Sequence, residues 1–532
     1  MKRKFSSLFI VGVLITGVFS GVLIEKTFSA DTIRDNVIKF NHILTFASKY
    51  YQEDVDNNEL TEAAIRGMLK ELDPHSVYLP PKKQKDEQEK FDGNFTGIGI
   101  EYQIINDTIN VVSPITGGPC ESVGVMAGDK IVSVDGKSCV GFNNTKVRKH
   151  FRGKKGTIVN IGIKRIGEPE IIDFRIARDK IPIYSVNASL MWDNKTGYIS
   201  LTRFAKKTTA EILNALTELK AQGMERLIFD LRNNPGGLLT QAFAVSDLFI
   251  DGNKKIVYTK GRRTDLDQEF SASIKTQYED IPLIILVNRG SASASEIVSG
   301  AVQDWDRGLI VGETTFGKGL VQRVFTLPDN SAIRLTTSKY YTPSGRQIQR
   351  NYEDKENYYT AVHNRKEKEG SNLNHTTEKD STRPVFETQK GRKVFGGGGI
   401  TPDFIIKSEY LTDYSAKLRR KNVFYTFIRT YLDNRKESIQ KKFGDDLKKF
   451  KDEFSFTEAT LKSFIKYAES KKVEFVEKDY NKDKNYITAR LKAYIARDFW
   501  KNKGSYYILL ETDNVFMKAN ELFDEANKIA NM

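Results

Sequence analysis

The sequence predicts an α/β core carrying an inserted β domain, with helical regions at both ends. Three observations predict it. Between residues 181 and 350, apolar runs of strand length alternate with stretches of helical period. Between 91 and 180 the pattern changes to short strands punctuated by turn residues. Before 91 and after 408, apolar residues recur at three- and four-residue spacing. These shifts divide the 532 residues into segments 1–30, 31–90, 91–180, 181–407 (with a polar insert at 350–395) and 408–532.

The first segment is a signal peptide or membrane anchor by pattern. Lys2, Arg3 and Lys4 precede Ser6 to Ile24, which is apolar apart from Ser, Thr and Gly. That length sits between a signal h-region and a spanning helix. Small-residue cleavage sites are poorly formed at Val18-Phe19-Ser20 and Phe28-Ser29-Ala30. In either case the positive end stays in the cytoplasm and the rest is exported. The expected location is periplasmic, or anchored to the inner membrane with the bulk of the chain outside the cytoplasm.

The net charge of +14 favours anionic neighbours such as lipid headgroups or nucleic acid. The basic residues are spread along the chain, mostly over its last third, as solvated helical faces are. No zinc-finger spacing or aromatic RNA-binding signature accompanies them, so no nucleic-acid partner is expected. Cys120 and Cys139 have no Cys/His cluster around them and read as free buried thiols. No metal or cofactor is expected.

In segment 31–90, Ile33, Val37, Phe40, Ile43 and Leu44 mark one apolar face. Leu60, Ala64, Ile65, Met68, Leu69 and Leu72 mark a second, which stops at Asp73-Pro74. His75 follows and reads as a packed or capping residue in a turn. From Phe95, a Gly97-Ile98-Gly99-Ile100 loop enters a strand. Turn pairs Gly128-Asp129 and Asp135-Gly136 bracket the strand Lys130–Val134, and a short helix fits Asn143–Phe151. This unit resembles a bacterial PDZ domain. The resemblance rests on the G-I-G-I loop and the A-G-D-K-I-V-S-V-D-G run. Such a loop can offer N–H groups to a peptide carboxylate while the peptide adds as a strand. Gly97, Ile98, Gly99 and Ile100 are therefore the candidate peptide-binding residues.

The chemistry concentrates between Val287 and Gln322. Ser291, Ser293 and Ser295 alternate at a helix start, and Ser293 stands three residues before Glu296 in a capping-box spacing. A serine there is either a cap or a nucleophile beside unpaired N–H groups. Lys318, between Gly317 and Gly319, can act as a general base if burial keeps it neutral. Gln322 shares a face with Lys318 on an extended chain and can orient its amine. Gly312 to Lys318 also imitates half of a phosphate-binding loop. Gly319 supplies no hydroxyl and a strand follows rather than a helix, so that alternative is set aside. Spacing alone does not choose between Ser291 and Ser293.

N-R-G-S-A-S-A-S-E-I followed by F-G-K-G-L-V-Q resembles the carboxyl-terminal processing (tail-specific) serine peptidases. L-D-P-H-S-V-Y-L, D-L-R-N-N-P-G-G, Y-Y-T-P-S-G-R and G-I-T-P-D extend the resemblance over about residues 31–407. It implies a crotonase/Clp-protease-like ββα core. It implies Ser293 as nucleophile, Lys318 as general base and Gln322 as its orienting partner. It also implies an oxyanion hole from the N–H groups of Ala294 and of Gly236 or Gly237. Protein or peptide substrates with apolar C-termini are the implied partners, cleaved near the tail. Membrane anchoring and homo-oligomerisation are left open. Two other readings stand beside it: an inert PDZ scaffold or chaperone, and a tethered nucleic-acid binder resting on charge alone. The insert at 350–395 reads as a mobile surface loop. The stripes Val423–Tyr431, Leu461–Ala468 and Ile487–Ile495 read as core faces.

Overall fold

A computed structural model describes residues 32–375 and 383–531. The N-terminal signal or anchor segment lies outside these described residues. The chain forms two compact units. The smaller spans residues up to Pro80 together with Val324–Leu335, and the larger holds the rest.

In the smaller unit, residues 32–50 are helical, followed by a helix at Asn57–Lys70 capped by the Asp56 carboxylate. The segment is not purely helical. Val77–Leu79 is a strand that pairs antiparallel with residues 332–334. The second apolar face is also narrower than its pattern predicts, since Leu69 is buried while Met68 and Leu72 are exposed. His75 is buried in the predicted turn, where its backbone N–H donates to Asp73 Oδ1 at 2.8 Å.

The larger unit is built on a seven-stranded sheet. Its order is Val186–Met191, Thr196–Leu201, Arg226–Asp230, Leu283–Val287, Leu309–Gly312, Phe404–Ile405 and Gly370–Ser371. The outer pairings are antiparallel and the inner four parallel. Alternation along the strands assigns two buried faces. Leu227, Phe229, Leu283, Ile285 and Val287 face the helices Thr208–Ala221, Leu239–Ser246 and Ala294–Asp304. Ile228, Ile284 and Leu286 face the other way, onto Phe516, Ala519, Phe523 and Ile529 near the C-terminus. The last two helices, Asn514–Asn520 and Phe523–Asn531, are thus the second cover of the seven-stranded sheet. The three predicted C-terminal stripes meet in one further apolar cluster, containing Phe424, Phe464, Ile487 and Leu491.

The inserted domain is PDZ-like. Strands Ile100–Ile105, Thr108–Pro114, Lys130–Val134, Ile158–Lys164 and Ile172–Ala177 follow one another antiparallel. Asn106 and Asp107 both have positive φ, as a two-residue hairpin turn requires. The helix Asn144–Phe151 is capped by Asn143 and buries Val147 and Phe151. Cys120 and Cys139 are free and buried, and burial pushes the Cys120 thiol up to about 12.

The insert differs from its prediction. Its charged composition predicts a loop free of the core, but its described residues pack inward. Tyr358, Val362 and Asn372 are buried. Arg289 donates to the carbonyls of His363 and Arg365, and Arg365 donates back to the core at Thr315 O, 2.6 Å away. Long polar side chains here satisfy backbone carbonyls rather than solvent.

Candidate active site

The strand Leu283–Val287 is followed by Asn288, and the helix Ala294–Asp304 begins six residues past that asparagine. The turn between them is stitched to a second turn, Leu231–Gly237, that follows the neighbouring parallel strand. Asn233 N–H donates to Asn288 Oδ1, and Ala292 N–H to Asn234 O, at 2.9 and 3.0 Å. Both turns lie at the carboxyl ends of parallel strands, where α/β sheets hold their chemistry.

The three alternating serines separate by environment. Ser291 is buried; its Oγ donates to Leu231 O at 2.8 Å and accepts from Asn288 N–H. Ser295 is buried too, with its Oγ on Asn234 O at 2.9 Å. Both hydroxyls hold the two turns together. Ser293 is half-buried and has φ 55° and ψ −112°, an unusual conformation for a residue with a side chain. Its N–H donates to Glu296 Oε2 at 2.7 Å, one half of the predicted capping box.

Glu296 does far more than cap. It is fully buried. Oε2 also accepts the Lys318 N–H at 2.9 Å, while Oε1 accepts from Gly317 N–H at 2.7 Å and Thr315 Oγ1 at 2.5 Å. Burial pushes its carboxyl above the usual range, against the downward pull of these four bonds. Tyr340 closes the arrangement from the other side. Its hydroxyl lies 3.1 Å from Ser293 O and 2.7 Å from Lys318 O, one donor between two carbonyls.

Lys318 is half-buried and precedes the strand Leu320–Thr326, so no helix receives the phosphate-loop imitation. Lys318 Nζ donates to Gln322 Oε1 at 2.7 Å, across one pleat of extended chain. Close backbone packing explains the flanking glycines. A Cβ at Gly317 would meet Gly399 N at 3.0 Å, and one at Gly319 would meet Gln349 N at 2.8 Å.

Of the two candidate oxyanion glycines, Gly236 spends its N–H on Asn234 Oδ1 at 2.9 Å. Gly237 and Ala294 have no such partner for their N–H groups among the described residues. Gly236 is needed for room. A Cβ there would stand 2.8 Å from Ala294 N and 2.9 Å from Ser293 Cβ, at φ +98°.

The PDZ residues line a separate groove of about 410 Å³, between the edge strand Ile100–Ile105 and the helix Asn144–Phe151. Gly97, Ile98, Gly99, Ile100, Val147 and Phe151 all border it. Gly99 has φ +79°, and Ile98 turns inward into the domain core.

Sequence reasoning missed Glu296 as the organising group, and missed Thr315, Tyr340 and Arg365 altogether. One signal for Glu296 is in the sequence: its capping-box spacing from Ser293.

A sequence model of Peptidase family S41 matches residues 195–355, and one of the N-terminal domain of the activating protease CtpB matches 22–97. A family of unknown function matches 414–501. The chain is 40% identical over 315 residues to a carboxy-terminal-processing protease of Bartonella bacilliformis, covering 58% of this chain and 72% of that one. It is 37% identical over 356 residues to a probable CtpA-like serine protease of Staphylococcus aureus, covering 65% of this chain and 71% of that one. Among solved structures, a photosystem II D1 C-terminal processing protease is 33% identical, with a TM-score of 0.34 over 58% of this chain and 83% of that one. With that identity across more than two thirds of the Bartonella protein, the chain belongs to the carboxy-terminal-processing serine peptidases of family S41.

Proposed function

We propose that this chain is an exported endopeptidase that cleaves near protein C-termini by a Ser–Lys mechanism. Ser293 is the nucleophile, Lys318 the general base and Gln322 the group that aims the base. The observation that carries this reading is the shared support of the pair. The backbone N–H groups of Ser293 and Lys318 hang on one oxygen of Glu296, and the amine is held by Gln322.

The chemistry follows from the groups present. Neutral Lys318 takes the Ser293 hydroxyl proton as Oγ attacks the scissile carbonyl. The oxygen that becomes negative is received by the N–H groups of Ala294 and Gly237. Lys318 returns the proton to the leaving amine, and the acyl-enzyme is hydrolysed by water under the same base. An ordinary lysine is almost wholly protonated near pH 7. The mechanism therefore needs the Lys318 amine neutral when Ser293 attacks.

The groove beside Ile100–Ile105 binds the apolar C-terminus of the substrate as an added strand, and Ile98 and Ile100 contact its last side chain. Export rests on the basic and apolar N-terminal segment. Among the described residues, no helix is long and apolar enough to cross a membrane. Homo-oligomerisation is not needed by this mechanism.

The test is cleavage of an unstructured peptide ending in an apolar residue, followed by mass spectrometry. Ser293→Ala and Lys318→Ala should each abolish it, and amidation of the peptide's C-terminus should weaken binding. Undiminished cleavage by both variants would overturn the reading.

A further inference from the structure

Arg232 is the last residue before the Asn233-Asn234-Pro235-Gly236-Gly237 turn, and two carboxylates hold it. One is local. Asp230 ends the same strand, and its carboxylate accepts from Arg232 Nη2 at 2.7 Å and from Nε at 3.0 Å. Tyr198 OH donates to Asp230 as well, at 2.7 Å. The other carboxylate comes from 281 residues further along. Asp513 Oδ1 and Oδ2 accept from Arg232 Nη1 and Nη2 at 3.0 and 2.7 Å. Asp513 also caps the helix Asn514–Asn520 through Phe516 N–H.

We infer that the C-terminal helical region is a working part of the peptidase site, with Asp513 as a positioning residue that fixes the oxyanion turn through Arg232. This rests on the reading that Gly237 receives the developing oxyanion. The physical argument is one of degrees of freedom. A guanidinium gripped on one edge can swing about that edge. Two bidentate partners on different edges fix its plane and its distance from both. Arg232 is then a fixed start for the turn. Its next residues, Asn233 and Asn234, bond Asn288, Ala292 and Ser295 on either side of Ser293. An oxyanion donor must be placed within tenths of an ångström, so freedom at the start of the turn costs rate rather than substrate affinity.

The anchor behind Asp513 is itself immobilised on the sheet. Tyr506 OH accepts from Asn187 Nδ2 at 2.7 Å, and Asn502 Nδ2 donates to Asn187 Oδ1 at 2.9 Å. The Phe516 ring packs edge-on against Tyr198 and Trp192. Burial raises the Asp513 carboxyl, but the Arg232 charge and bonds outweigh it and hold the group below its ordinary range.

The experiment uses the full chain with Asp513→Asn, Asp513→Glu and Phe464→Leu. Asn keeps an oxygen to cap the helix and loses the charge. Phe464→Leu opens space in the separate apolar cluster of the C-terminal region, away from Arg232, Asp513 and Tyr506. Three quantities are read: kcat and KM on a tail peptide, the inhibition constant of a peptide aldehyde, and the melting temperature. The aldehyde forms a hemiacetal with the serine whose oxygen occupies the oxyanion position. The expected result for Asp513→Asn is a fall in kcat of roughly ten- to a hundredfold with KM within about twofold, and a matching loss of aldehyde affinity. Asp513→Glu recovers part of both, and Phe464→Leu lowers the melting temperature while leaving kcat unchanged. Wild-type kcat and aldehyde affinity in Asp513→Asn would overturn the inference. So would a kcat that falls in Phe464→Leu in step with melting temperature. A wild-type chain that neither cleaves the peptide nor binds the aldehyde overturns the site reading, and this role with it.

Discussion

Ser293 and Lys318 share one acceptor: their backbone N–H groups meet at Glu296 Oε2, at 2.7 and 2.9 Å. The proposed nucleophile and base are thus set by a common support before any substrate arrives. The same carboxylate fixes Gly317 and Thr315 through its other oxygen. Glu296→Gln keeps the shape but turns an NH2 group toward one pair of donors. Hydrogen bonds to a charged group contribute about 1.5–3 kcal/mol each, so two lost bonds cost roughly 3 kcal/mol or more. We predict a melting temperature lowered by several degrees and kcat lowered by at least about a hundredfold in folded protein. Calorimetry and steady-state kinetics check both; wild-type values would remove Glu296 from the account.

Gly236 has the space requirement of an oxyanion site. Gly236→Ala would place a methyl 2.7 Å from Ala292 O and 2.8 Å from Ala294 N, at a strained φ. The methyl would block the Ala294 N–H, so we predict a loss of about 10²–10³ in kcat, the magnitude of removing one oxyanion donor. Gly117→Ala is the control, because a Cβ there meets nothing within 4 Å, although its φ of +76° carries similar strain. Equal effects of the two changes would show that strain alone is responsible.

The insert braces the loop that carries the proposed base. Arg365 donates to the carbonyls of Thr315 and Phe316, at 2.6 and 3.3 Å, just ahead of Lys318. Removing it takes a donor from the buried Thr315 carbonyl, at about 1–3 kcal/mol. Arg365→Ala should therefore lower thermal stability and reduce kcat by about tenfold. A variant indistinguishable from wild type in both would return the insert to the status of a surface loop.

Acid stability tests the buried ion network behind the serine helix. Asp403 is fully buried and accepts from Arg392 Nη1 at 2.7 Å, Gln303 Nε2 at 3.0 Å and Ile310 N–H at 2.8 Å. Burial raises its carboxyl, but the Arg392 charge outweighs that and holds it well below its ordinary 3.8. A depressed folded value means that the unfolded chain takes up the proton first as pH falls. The stabilisation is therefore complete above about pH 4–5 and is lost progressively below it. Asp403→Asn should flatten that acid slope and lower stability near neutrality by about 3–5 kcal/mol, as breaking a buried pair does. Urea titrations at several pH values check it; an unchanged slope would contradict the assignment.

The legible parts of the molecule are those encoded over short distances. The alternating serines, the Gly-Lys-Gly run, Gln322 and the G-I-G-I loop each carry their geometry within a few residues, and the strand-helix rhythm of the core is equally local. Long-range partners were not legible. Asp513 and Arg232 lie 281 positions apart, and nothing near either names the other. The same holds for Tyr340 and for Arg365, whose segment looks too polar to pack. The strands Lys255–Gly261 and Ala332–Tyr341 also escaped pattern reading, because lysines, threonines and serines interrupt their apolar alternation. Choosing among the serines needed three dimensions, since two of the hydroxyls are bonded to carbonyls from another turn.

The most direct measurement is the rate of covalent labelling by a fluorophosphonate, with the modified residue located by mass spectrometry. The account predicts label on Ser293 alone, at a rate that collapses in Lys318→Ala. Label on Ser291, or labelling of Ser293 untouched by Lys318→Ala, would contradict it.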